Sequence, residues 1–121
     1  MNKIFVFGSN LAGRHGAGAA LFARNHKGAK YGVGEGFMGQ CYALPTKDRS
    51  IKTLPIHRIE LHVMKFLEFA KNNPDLIFEV TRVGCGLAGY KDEDIAPLFT
   101  GAPSNCELPN GWRELSRWKE K

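Results

Sequence analysis

Cysteine is scarce in this chain, and its spacing excludes the common cysteine-based sites. The three cysteines, Cys41, Cys85 and Cys106, are odd in number, lie far apart and form no CxxC pair. Such a set argues against a disulfide framework or a zinc site. His57 and His62 do not have the i, i+4 spacing of a helical HExxH metal site. We therefore predict reduced thiols and neither a metal nor another cofactor.

Long hydrophobic stretches are absent as well. No apolar run approaches the roughly 18 residues that a membrane-spanning helix needs. The first residues, MNKIFVFGSN, lead directly into a strand pattern without the regions of a signal peptide. The sequence also contains no internal repeat, low-complexity tract or linker. These absences predict one cytoplasmic domain over residues 1–121, without a membrane partner. They predict nothing about oligomeric state.

Charge of one sign is not concentrated in any segment. The chain has 17 lysines and arginines against 12 acids, a formal net charge of +5, which favours anionic ligands. The densest basic group, residues 113–121, also contains Glu114 and Glu120. This pattern favours a solvated face over a nucleic-acid footprint. A basic module that binds nucleic acid or protein through residues 112–121 remains an alternative function.

Glycine, by contrast, is in excess and unevenly placed. The chain has 14 glycines, whereas an average composition would give about eight. Nine lie between Gly8 and Gly39, and three lie between Gly84 and Gly89. Because glycine is costly to order, dense patches indicate backbone that turns left-handed or approaches another group closely. Residues 32–39 are predicted to form a loop, to which the sequence assigns no function.

Hydrophobic periodicity and the turn residues predict alternating strands and helices. The predicted strands are residues 3–8, 40–45, 76–83 and 105–108, and the predicted helices are residues 16–27, 53–72, 92–99 and 111–118. Pro45 is expected to end its strand, and Leu21 and Phe22 to face the core. The second helix has a clear apolar face, made of Ile59, Val63, Phe66, Leu67 and Ala70. This order predicts an α/β fold, a single three-layer α/β/α domain with a mostly parallel sheet.

Both glycine patches follow predicted strands. In a parallel sheet, ligands bind at the carboxyl ends of the strands. Residues 8–16 and 84–90 are therefore expected to meet at one edge. The first patch leads into a predicted helix at Gly16, where free N–H groups and the helix dipole favour an anion. The sequence thus predicts a phosphate or diphosphate site at this edge.

Two known phosphate motifs fit these patches incompletely. The first patch has GxxxxG spacing, but Arg14 and His15 stand where a P-loop has lysine and serine or threonine. The second patch forms GxGxxG after a strand, but Tyr90 and Lys91 separate it from the short helix that follows. A P-loop NTPase is excluded, and an NAD-dependent oxidoreductase is the weaker of the alternatives.

The two patches resemble those of the macro domain family, which binds ADP-ribose and in some members hydrolyses its esters or protein adducts. Ser9-Asn10 followed by residues 13–20 is similar to that family's strand, asparagine, glycine-rich loop and helix, and residues 83–90 are similar to its second loop. The resemblance implies a macro-domain-like fold whose two loops hold the diphosphate and distal ribose. It implies that Asn10 hydrogen-bonds ribose hydroxyls and that Tyr90 lines the sugar. The family's adenine-reading aspartate has no counterpart, because no acid precedes Glu35.

The candidate ligand-binding residues come from both patches. They are Gly8, Ser9, Asn10, Gly13, Gly16, Ala17 and Gly18 in the first patch, and Gly84, Cys85, Gly86, Leu87, Ala88, Gly89 and Tyr90 in the second. The predicted function is binding of ADP-ribose or a related nucleotide diphosphate sugar. Whether the protein is also a hydrolase of ADP-ribosyl derivatives stays open.

Three residues are candidates for catalysis, and each also has a purely structural interpretation. Asn10 would hold an attacking water, or form a turn. His15 would pair with phosphate or accept a proton, or be an exposed loop residue. Asp48 would act as a base or a ribose partner, or be a solvated turn acid.

Overall fold

The computed structural model describes residues 3–120, and side chains through Ser116. The elements, in chain order, are β1 (Lys3–Asn10), α1 (Gly18–His26), β2 (Gly36–Met38), β3 (Cys41–Lys47), α2 (Ile56–Lys71), β4 (Ile77–Val80), α3 (Asp92–Ile95), β5 (Cys106–Glu107) and α4 (Trp112–Glu120). A 3-10 turn, Ala96–Phe99, follows α3 directly. The described chain is a mixed α/β domain, as the alternation predicted.

The sheet has the strand order β2-β3-β1-β4-β5. β1 is central and pairs in parallel with β3 and β4, and β4 pairs in parallel with β5. β2 is antiparallel to β3 and forms one edge. Because β1, β3 and β4 run in the same direction, the loops after them share one edge of the sheet.

The apolar side chains form two cores, one on each face of the sheet. Ile4 and Val6 of β1 pack into the larger core with α2, α3 and α4. Phe7 faces the opposite side and packs with Ala20 and Ala23 of α1. The alternation of side chains along β1 therefore places helices on both faces.

The inward face of α1 differs from the prediction. Leu21 and Phe22 are 37% and 45% exposed, whereas Ala20 and Ala23 are buried. Small side chains let α1 lie close to the sheet, and the aromatic volume on this face comes from Phe7 and the half-buried Phe5 in β1. The prediction for α2 is confirmed, since its inward residues Ile59, Val63, Phe66 and Ala70 are buried and Leu67 packs against them.

Two further sequence predictions were wrong in detail. Pro45 does not end β3, which continues to Lys47. The pairing between β2 and β3 ends at Ala43 of β3, two residues before Pro45. Pro45 has no N–H to donate, and at this position β2 requires none. Residues 32–39 are not entirely loop, because they contain β2. A strand of three residues, one of them a glycine, is too short to show periodicity.

The C-terminal helix contributes described side chains to the core. Trp112 is fully buried, and its Nε1 donates to Asp92 Oδ1 at 3.1 Å. The Arg113 guanidinium donates to the carbonyl oxygens of Ala102, Pro103 and Cys106. The other basic positions of the predicted interaction surface, within residues 117–121, lie outside the described side chains. Among the residues described, no helix has the length and apolar character needed to span a bilayer.

Candidate functional site

A cleft opens at the carboxyl edge of the sheet, between the loops after β1, β3 and β4 and the first turn of α1. Its volume is about 510 Å³, within the range typical of small-molecule sites. The predicted ligand-binding residues that line it are Gly8, Ser9, Asn10, Gly16, Ala17, Gly18, Gly84, Gly86, Leu87 and Ala88. The predicted residues that lie outside its lining are Gly13, His15, Asp48, Cys85, Gly89 and Tyr90. The two patches therefore meet at one edge, as the topology predicted.

The side chain of Asn10 closes the first loop. Its Nδ2 donates to Arg14 O at 2.8 Å, and its Oδ1 accepts from Arg14 N at 2.9 Å. Asn10 is 7% exposed, so both bonds are shielded from water. The amide thus shapes residues 10–14, and a ribose hydroxyl would have to use the remaining Nδ2 hydrogen or Oδ1 lone pair.

Residues 32–34 support this loop by direct backbone packing. A Cβ on Gly13 would lie 2.3 Å from Gly32 C and Val33 N, and one on Gly34 would lie 2.3 Å from Asn10 O. Glycine is required at both positions because no side chain fits between the two backbones. The glycine-rich segment without an assigned function is therefore a support for the first loop of the cleft.

His15 belongs to the same support. Its ring is fully buried, its Nε2 lies 3.0 Å from Val33 O, and it meets the Phe7 ring edge-on at 5.3 Å. Nδ1 is buried without a hydrogen-bond partner among the described residues. The ring therefore joins the first loop to Val33, away from the cleft surface.

Asp48 forms a tight turn after β3. Its Oδ1 accepts from the backbone N–H groups of Ser50 and Lys52, at 2.8 and 3.0 Å. Within this turn Ile51 has φ +64°, a left-handed conformation that β-branched residues rarely adopt. The carboxylate is engaged by backbone donors, and Ile51 is the residue of the turn that lines the cleft.

The second glycine-rich loop is bonded to the segment after this turn. Thr53 Oγ1 donates to Ala88 O at 2.9 Å, and the Tyr90 hydroxyl donates to Leu54 O at 2.7 Å. Gly84 has φ +78°, and a Cβ there would lie 3.0 Å from Ile95 Cδ1. These contacts hold the loop against the core and place Tyr90 on its inner side.

Cys85 has the properties of an unreactive thiol. The pKa of Cys85 is raised to about 11, mainly by burial and in addition by the nearby Asp92 carboxylate, which repels the thiolate and accepts the thiol hydrogen. Nucleophilic cysteines have the opposite property, a lowered pKa. The thiol therefore stays protonated at neutral pH.

Three cations line the cleft, and sequence reasoning did not select them. They are Arg14 after β1, Lys47 at the end of β3 and Arg82 after β4. Arg82 also contacts Asp92, with Nε 3.5 Å from Oδ1. The side chains of Arg14 and Lys47 have no hydrogen-bond or ion-pair partner within residues 3–116. The strand-end rule that was applied to glycines would have found Arg14 and Lys47, whereas Arg82 lies inside the predicted strand 76–83 and follows a strand only because β4 ends at Val80.

The amino end of α1 adds a further electropositive group. Its N-cap residue, Ala17, provides no side-chain hydrogen bond, and the first turn contains no acid. The first N–H groups of a helix need acceptors from elsewhere. Ala17 and Gly18 line the cleft, so the amino end of α1 belongs to the same cleft as the three cations.

No family model, curated protein or solved structure matches this chain. A function for this chain is therefore inferred from the chemistry of the residues that line the cleft. Within the described residues, no three histidine, cysteine or acidic side chains converge to form a metal site. What the cleft offers is positive charge, free backbone donors and room close to the backbone.

Proposed function

We propose that this chain binds ADP-ribose or a related nucleotide diphosphate sugar in the cleft at the carboxyl edge of its sheet. One observation carries the proposal: Arg14, Lys47, Arg82 and the uncapped end of α1 line the same cleft, and no carboxylate is among its described lining residues. An anion with several oxygens satisfies these donors together.

The available donors suit a diphosphate better than a single carboxylate. Arg14 and Lys47, which have no side-chain partner within residues 3–116, and the helix terminus supply donors from three different segments of the cleft lining. A charge-assisted hydrogen bond contributes roughly 1.5–3 kcal/mol. Gly16 and Gly86 leave open space where a side chain would begin, so phosphate oxygens have access to the backbone there.

The resemblance of both loops to the macro domain family supports ADP-ribose as the first ligand to test. In that interpretation the chain is a small, macro-like domain that uses Arg14 and Lys47 in addition to its glycine loops. The alternative, a basic module that binds nucleic acid or protein through residues 112–121, gains no support from the two described residues Trp112, which is buried, and Arg113, whose guanidinium is bonded to backbone carbonyls.

The residues of the cleft favour binding over hydrolysis. Its described titratable side chains are Arg14, Lys47 and Arg82, which are cations at neutral pH and do not accept protons. His15 and Asp48 lie outside the lining and are bonded to backbone groups. Hydrolysis would need a water activated by the substrate itself, so we propose a binding protein.

Isothermal titration calorimetry with ADP-ribose, AMP and NAD tests the proposal. ADP-ribose is expected to bind more tightly than AMP, because it presents a second phosphate. At about 100 times its dissociation constant it should stabilise the fold by roughly 2.7 kcal/mol. A preference for NAD over ADP-ribose would instead favour an oxidoreductase. No heat with any of the three at millimolar concentration would refute the proposal.

Two pairs of variants localise the site. Arg14→Ala should weaken ADP-ribose binding by about tenfold or more, whereas Arg58→Ala removes a charge from α2, outside the cleft, and should not. Gly86→Val should block binding without unfolding the chain, because Gly86 has no left-handed φ and open space at its Cβ position. The control is Met64→Val, at an exposed position on α2 outside the cleft, and it should retain binding. Wild-type affinity in both Arg14→Ala and Gly86→Val would place the ligand elsewhere.

A further inference from the structure

Two apolar side chains line the cleft in addition to the cations, and we call them the rim. Ile51 and Leu87 both line the cleft, and their side chains are large, apolar and 36% and 74% exposed. Neither belongs to the two hydrophobic cores. Exposed apolar side chains gathered at a concave site are typical of ligand contacts.

The backbone of Ile51 shows that this side chain is held there at a cost to the fold. It is the only non-glycine residue in the described chain with a positive φ. Glycine or asparagine would fit the same turn with less strain. Asp48 enforces the conformation through its bonds to the N–H groups of Ser50 and Lys52. An isoleucine at this position gains no core packing that would offset the strain, which indicates a role in the cleft.

The two apolar residues are fixed relative to each other. The Thr53–Ala88 hydrogen bond, at 2.9 Å, joins their loops two residues after Ile51 and one residue after Leu87. The Tyr90–Leu54 bond, at 2.7 Å, is a second connection between the same segments. Ile51 and Leu87 therefore form one apolar rim, while the uncapped end of α1 contributes the anion-binding donors from another element.

We propose that Ile51 and Leu87 pack against the flat face of the ligand's nucleobase, so that the cleft takes nucleoside diphosphates with little discrimination among bases. This inference rests on the proposed function. Aliphatic side chains contact the ring face that all bases share, whereas hydrogen bonds read the edges that distinguish them. Asp48, the acid of this turn, lies outside the cleft lining, so the turn places no carboxylate in the cleft to read a base edge.

Calorimetric titrations with ADP, UDP and inorganic pyrophosphate test the inference on the wild-type chain. ADP and UDP should bind with dissociation constants within about threefold of each other, because both bases present an apolar face. Pyrophosphate should bind at least about tenfold more weakly, since it makes no rim contact. Binding of ADP with no detectable binding of UDP would overturn the inference.

Variants of the rim provide an independent test. Ile51→Gly and Leu87→Ala should each weaken the binding of ADP and of UDP by about tenfold and leave the binding of pyrophosphate unchanged. Ile51→Gly should also melt no lower than the wild type, because it removes a left-handed β-branched residue. The matched control is Leu61→Ala, on α2, which is 56% exposed and outside the cleft; it should change no affinity.

The outcomes separate the two proposals. If ADP-ribose binds and both rim variants keep wild-type affinity, the rim contact is refuted and the proposed function stands. If the wild type binds none of ADP-ribose, ADP, UDP and pyrophosphate, the proposed function fails and the inference fails with it.

Discussion

Replacing Gly34 with alanine is a direct test of the backbone packing that supports the cleft. The added Cβ would lie 2.3 Å from Asn10 O and 2.9 Å from Leu11 C and O. All of these are backbone atoms, so no side chain can rotate away to relieve the overlap. Gly34 has no left-handed φ, and the expected effect is therefore steric.

The size of the effect follows from the need to separate two backbones. Overpacking by one methyl group in a tightly packed region costs typically 1–3 kcal/mol. We expect Gly34→Ala to lower the free energy of unfolding by about 2 kcal/mol, or the melting temperature on the order of 6–10 °C for a domain of this size. Displacement of residues 10–14 should also weaken the binding of ADP-ribose, because Asn10 and Arg14 line the cleft.

Gly16→Ala is the matched control for this change. Gly16 also has no left-handed φ, and a Cβ there would meet no atom within 4 Å. The same substitution should therefore be neutral or stabilise by about 0.4–1 kcal/mol, through the unfolded chain. Urea denaturation, monitored by circular dichroism, measures the free energy of unfolding of both variants. Equal stability of Gly34→Ala and the wild type, or equal losses in both variants, would refute the reasoning.

Three further predictions concern the loop, the thiols and pH. Asn10→Ala should lower the free energy of unfolding by about 1–3 kcal/mol, because it removes two shielded bonds to Arg14; unchanged urea midpoints would contradict this. Cys85 should react with iodoacetamide at pH 7.5 far more slowly than free cysteine, because its pKa is raised to about 11. Mass spectrometry of the alkylated chain measures the rate. A rate equal to that of free cysteine would contradict the raised pKa. Burial raises the pKa of Cys41 and of Cys106 to about 11, so the folded chain holds protons that the unfolded chain releases near pH 9. Stability should be unaffected by these thiols below pH 9 and fall between pH 9 and 11, by up to about 1.4 kcal/mol per pH unit for each thiol; urea midpoints that stay level across this range would contradict it.

The sequence predicted the framework of the fold better than its details. Ile59, Val63, Phe66 and Ala70 recur with helical spacing, and all are buried. The edge strand β2 was missed because three residues cannot establish a period. The exposure of Phe22 was missed because helical spacing does not determine which side of a short helix meets the sheet.

The position of the cleft was predictable from topology, whereas the contacts of single residues were not. Gly8, near the end of β1, and Gly84, after β4, belong to parallel neighbours in the sheet and line one cleft. His15 was placed near the anion by its position in the chain, but its ring turns toward Val33. Only the three-dimensional packing of residues 32–34 on the first loop determines that orientation. The strain at Ile51 gave no signal in the sequence, because isoleucine is ordinarily a strand residue.

The central position of β1 sets the order in which the cleft can form during folding. Its parallel partners are distant in sequence, with Phe5 opposite Cys41 on one side and Ile4 opposite Phe78 on the other. Both long-range pairings must be complete before the loops after β1, β3 and β4 meet, and such pairings are slow to form. A ligand of the cleft therefore recognises only the finished fold. It should lengthen the lifetime of the native state by slowing unfolding, and leave the rate of folding unchanged.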